Sequence, residues 1–248
     1  VLNPFPAEFG TVQLILVALI FVWTGFVRTG LGFGGAALGL PLMLFVLDQP
    51  IFWLPIIGSH LLFFSALTLR TRLHNVDWVY LKRAGAYIVP AALIGVFGLL
   101  NLPNQWLVIF VYTVTLIYAC MWALDLDIKS SNDWLDKTLL VLGGYVAGTS
   151  LTGAPLMVAV FMRNVPLEKL RDTLFVLWFV LVAIKMSTFA AVGVDLHSMV
   201  ALALLPVAAI GHVVGLKAHA LILKNDKLFK RVMGGFLIVV SVLGLLNV

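Results

Sequence analysis

The chain has 248 residues, 62% of them hydrophobic and 11% charged, with a mean hydropathy of +1.10 and a net charge of +5. Soluble domains carry about 25% charged residues, so a soluble enzyme or a nucleic-acid-binding module is excluded. The single cysteine, Cys120, rules out an internal disulfide.

Apolar segments follow one another at about 11–27, 36–47, 51–69, 84–100, 105–124, 138–162, 173–194, 199–216 and 232–247. Most can cross a hydrocarbon core of about 30 Å as helices rising 1.5 Å per residue. The fold class expected is an all-α polytopic membrane protein. The first residues show neither a basic stretch nor a small-residue cleavage site, so no signal peptide is expected. The one long polar stretch is "DLDIKSSNDWLDK", residues 125–137.

Fourteen of the sixteen basic residues fall in four places: around 70–83, in 125–137, at 163–171 and at 217–231. The turns at 48–50, 101–104 and 193–197 carry none, and neither does either end of the sequence. The positive-inside rule puts the four basic regions in the cytoplasm and the bare turns and both termini outside. Arg28 and Lys185 are left over.

A repeat emerges from the same reading. "GLPLM" (39–43) pairs with "GAPLM" (153–157), and "VPAALIG" (89–95) with "LPVAAIG" (205–211). The charges give paired segments opposite directions. Two inverted-topology repeats are therefore expected, each a broken or re-entrant hairpin followed by three transmembrane helices. Their boundaries are 1–124 and 138–248, with 125–137 as a cytoplasmic linker. Ten segments result, four of them short. In such transporters the substrate site lies near the midplane where the repeats meet.

The hairpins turn at "GLGFGGAALGLP" and "GTSLTGAP". Gly30, Gly32 and Gly39 are read as hinges, and Pro41 and Pro155 as first-turn residues of new helices. The new N-termini then offer free N–H groups to an anion, and the candidate substrate-binding residues at the turns are Gly34, Gly35, Ala36 and Gly153, joined by the hydroxyls of Thr149, Ser150 and Thr152. The bland alternative is close helix packing through small residues. Lys185 lies about twelve residues into its 22-residue segment, where a charge is costly and functional by default; the alternative is a lysine that snorkels outward. Arg28 is either in the site or at the cytoplasmic mouth. His60 and His212 lie in apolar runs, as anion donors, proton shuttles or packing residues. Trp178, two turns from Lys185, is a candidate wall. Every carboxylate lies in a loop or at a segment end. A core with spare positive charge and no acids suits an anionic substrate.

The glycine-rich hairpin "GLGFGGAALGLPLM", its echo "GTSLTGAPLM" and the two-half layout resemble the sulfite exporter TauE/SafE family. The resemblance implies export of sulfite or C2 organosulfonates such as sulfoacetate across a bacterial inner membrane, with no enzymatic activity. It carries over to Gly30, Gly32, Gly34, Gly35, Gly39 and Pro41, and to Gly153 and Pro155. Alternating access at a midplane site formed by two hairpin tips is the expected mechanism. A passive anion channel, or a proton-coupled carrier of another small organic anion, remains open. The partners expected are a small anion and the lipid bilayer, with no nucleic acid, metal or cofactor.

Overall fold

The computed structural model describes residues 4–7, 9–31, 35–224 and 226–248. Among these, the chain forms ten α-helices, one 3-10 turn and no strand. They are α1 (Thr11–Leu31), α2 (Gly35–Met43), α3 (Pro50–Leu69), α4 (Trp78–Asn101), α5 (Asn104–Ala123), α6 (Asp133–Ser150), α7 (Ala154–Asn164), α8 (Leu167–Ala191), α9 (Ser198–Lys224) and α10 (Asp226–Leu246). Seven are long and apolar enough to cross a membrane: α1, α3, α4, α5, α8, α9 and α10. The expected multi-pass helical class is what the structure has.

The three remaining helices belong to the hairpins. At nine residues, α2 is about 14 Å long, too short to cross. So is the eleven-residue α7. Four short segments were expected, with two crossings left open for residues 11–47, and α1 is long enough to cross. The polar linker also ends sooner than expected, because α6 starts at Asp133 rather than 138. Asn132 caps that start by accepting from the Leu135 N–H at 2.9 Å, and Asp133 and Asp136 sit in the first turn, where the helix dipole favours negative charge.

The chain divides into two compact units. One comprises Val1–Ile56, Pro103–Asp127 and His197–Val248; the other comprises Ile57–Leu102 and Ile128–Leu196. Each draws on both halves of the sequence. In the first unit α1 packs along α9 and α5 along α10; in the second α6 packs along α4. Covalent order therefore differs from packing order: each hairpin lies against the segment that its own half of the sequence does not supply.

The two seams are built alike. A Cβ added at Gly148 would collide with the Ala92 carbonyl oxygen, and one at Gly25 with the Ala208 carbonyl oxygen. Gly95 meets the Tyr145 carbonyl as Gly211 meets that of Val22. Backbone touches backbone, and only glycine permits it. Pro90 and Pro206 hold equivalent places inside α4 and α9.

Among the described residues two carboxylates are buried, Asp136 in the first turn of α6 and Asp172 in the second turn of α8. Asp136 accepts from Ser130 Oγ, from Asn164 at 3.0 Å and from Arg163 at 2.7 Å. Asp172 accepts from Asn75 at 2.7 Å and faces Arg72 at 3.7 Å. Neither lies mid-span, in keeping with the acid-free core expected from sequence.

Candidate functional site

In the second unit the hairpin breaks between α6 and α7. Leu151 takes the left-handed conformation, φ 61°, and so ends α6. Gly153 precedes α7, and Pro155 sits in its first turn, where its missing N–H costs little. A side chain at Gly153 would collide with the Gly143 carbonyl oxygen, so the chain folds straight back on α6. Ser150 Oγ and Thr152 Oγ1 share a 2.6 Å hydrogen bond, and both residues are wholly buried. Thr149 Oγ1 donates to the Tyr145 carbonyl at 3.0 Å, with the Gly95 carbonyl also at 3.3 Å.

Lys185 comes to this break from α8. It is 1% exposed, so it does not snorkel. Its ammonium donates to the Thr149 carbonyl at 3.2 Å and lies 5.8 Å from the Phe189 ring centre. It faces no carboxylate among the described residues. The cation thus sits at the negative end of α6, one residue from Ser150. Trp178 packs on this unit's core, and its indole N–H is buried without a hydrogen-bond partner among the described residues. His60 is buried on α3 with its ring edge-on to Phe64 at 6.5 Å. Two residues before it, Gly58 packs on Met186, the neighbour of Lys185.

In the first unit α1 ends at Leu31 and α2 opens at Gly35, and this interruption is the first break. Gly32 and Gly34 lie outside the described residues. Gly30, Gly39 and Pro41 are not in the break. Gly30 is still helical at the end of α1, and Gly39 and Pro41 lie inside α2. Pro41 was expected in a first turn; α2 begins six residues earlier because "GAALGL" itself continues as helix. Gly39 instead receives Thr24, whose methyl fills the space of a Cβ, and the Pro41 carbonyl accepts from the Tyr112 hydroxyl at 3.3 Å.

Arg28, 7% exposed, lies in the last turn of α1 with its Cβ facing Gly35. Next to it, buried Thr29 shares a 2.6 Å hydrogen bond with His212 Nδ1 on α9. Gly215 allows this approach, since a Cβ there would lie 3.0 Å from Thr29 Cβ.

Sequence reading missed Thr29. The signal is present, however: "TG" at 29–30 matches "TG" at 152–153, in the same register as the Gly25 and Gly148 seams. The "PLM" match obeys a different register, shifted by nine residues. The first hairpin therefore carries its extra length within the glycine run.

Each break thus combines a buried cation with a buried hydroxyl and a fresh helix N-terminus. That set suits a small oxyanion. Among the described residues no group of acids, histidines and cysteine could hold a metal ion. The family model for the sulfite exporter TauE/SafE matches residues 17–243, nearly the whole chain. The chain belongs to that family of membrane transporters of sulfur-containing anions. No curated protein and no solved structure matches it.

Proposed function

We propose that the chain exports sulfite or C2 sulfonates such as sulfoacetate across a bacterial inner membrane, by alternating access. The observation that carries this reading is Lys185, a wholly buried cation at a helix break with no carboxylate facing it among the described residues. A buried charge without a counter-charge is strongly unfavourable, and a bound oxyanion would supply one. The Thr152 hydroxyl, turned away from Ser150, and the first N–H groups of α7 would then donate to its remaining oxygens. Arg28 with Thr29 and His212 is read as the corresponding anion contact of the first unit. Alternating access rests on the sequence repeat and is supported by the matched glycine seams. With the termini outside, as the charge pattern implies, an inside-negative potential favours anion exit by about 2.3 kcal/mol per charge per 100 mV.

The test is flux from proteoliposomes at a set membrane potential, with sulfite, sulfoacetate, taurine, sulfate and acetate as cargo. Saturable sulfite or sulfonate movement driven by potential alone supports the reading. A strict need for a pH gradient would replace uniport by proton coupling and turn attention to His60 and His212. Flux that never saturates would make the chain a channel.

A further inference from the structure

The second unit has a solvent-open pocket at the start of α4 and α6, lined by Tyr80, Arg83, Tyr87, Asp133, Asp136 and Lys137 among others. It is separate from the Lys185 break. We infer that this pocket binds the phosphate of an anionic lipid headgroup. Charge is the first argument. Arg163 is taken up by Asp136 at 2.7 Å and Asp133 at 3.3 Å, and Asn164 and Ser130 complete the partners of Asp136. Arg83 and Lys137 are left with no carboxylate partner among the described residues. Lys137 only lies over the Tyr87 ring, 5.9 Å from its centre. Two free cations beside two tyrosine rings form an anion receptor with an apolar floor of Ala84 and Leu140.

Depth is the second argument, and it favours a lipid over a soluble anion. The span-forming α4 begins at Trp78, so Tyr80, Arg83 and Tyr87 occupy its first three turns. Trp78 and Trp134 flank the pocket in sequence and stay exposed, Trp134 at 74%. Exposed tryptophans at the end of a span mark the headgroup level of a bilayer. Basic pockets at that level recognise acidic lipid headgroups.

The test uses the full chain in phosphatidylcholine nanodiscs doped with phosphatidylglycerol, with retained lipid counted by native mass spectrometry. Phosphatidylglycerol should be retained over phosphatidylcholine. Arg83→Gln and Lys137→Gln should each weaken retention about fivefold, the worth of one cation near a headgroup. Lys82→Gln, which alters a neighbouring cation outside the pocket, should leave it unchanged. Both pocket cations are exposed, so thermal stability in pure phosphatidylcholine should not move and folding will not confuse the result. Equal retention by the double variant, or an equal loss in Lys82→Gln, would overturn the assignment. So would complete displacement by excess inorganic phosphate, because the pocket would then take free oxyanions.

Discussion

The two helix breaks reach one chemistry by different routes. At the α1/α2 break the cation, Arg28, is part of the hairpin, and the hydroxyl beside it, Thr29, pairs with a histidine from α9. At the α6/α7 break the hairpin supplies only hydroxyls, and the cation, Lys185, arrives from α8. Thr29 and Thr152 hold matching places, yet one bonds across elements and the other only two residues along its own chain. The shared scaffold is the glycine seam. Polar groups on it have diverged while backbone contacts have not, because a seam of backbone against backbone has no side chain to exchange.

The comparison breaks most readily at the seams. Gly148→Ala and Gly25→Ala should each cost several kcal/mol, at or above the range of roughly 1–3 kcal/mol for overpacking, because a carbonyl oxygen cannot move aside as a side chain can. Folded yield and thermal stability in detergent should fall together in both; damage in only one would end the equivalence. Next comes Lys185→Met. Flux should drop roughly 10- to 100-fold, the worth of a charge-assisted hydrogen bond, while stability holds because a buried charge is removed. Unchanged flux would leave Lys185 as a mere cap of α6.

The threonines sharpen the contrast at a smaller scale. Thr29→Val removes a 2.6 Å partner from His212 and should cost about 1–3 kcal/mol. Thr152→Val should cost less, about 1 kcal/mol, because Ser150 Oγ still donates to the Val146 carbonyl. Equal losses in a denaturation series would contradict the difference drawn between the two sites. Gly85→Ala, on α4 with open space around it, should gain up to about 1 kcal/mol and serve as the control for the seam variants.

The smallest effect concerns Asp125, where a hydrogen bond from Lys227 at 3.0 Å holds the carboxyl below its usual range. Its lowered folded-state value means that the contribution is present above the ordinary carboxylate pKa and fades as pH falls through the folded value. Lys227 is exposed and Asp125 partly so, and solvent screens the pair, so Asp125→Asn should leave the melting curve unchanged at neutral pH.

Much of the fold was legible in the chain. Long apolar runs can only be spans, and an N-cap such as Asn132 or a proline such as Pro155 acts within its own turn. The second break was read to within a residue or two, because Gly153 and Pro155 sit at its edge. The first was misread at Pro41 because a glycine run allows a break anywhere along it, and local sequence does not choose the place. Thr29 was passed over because its partner lies 183 residues away. The burial of Lys185 followed from its place in the middle of an apolar run.

By itself, then, the sequence determined the membrane-spanning helical class, the break between α6 and α7, the lack of mid-span carboxylates and the family. Each follows from composition or from contacts within a few residues. Only the tertiary structure decided that α1 lies along α9 and α6 along α4, that Thr29 meets His212, and that Lys185 caps α6 at Thr149. Those pairings depend on which helix faces press together. A pattern of apolar residues on every side of a helix leaves that choice open, and close backbone contact at the glycines settles it.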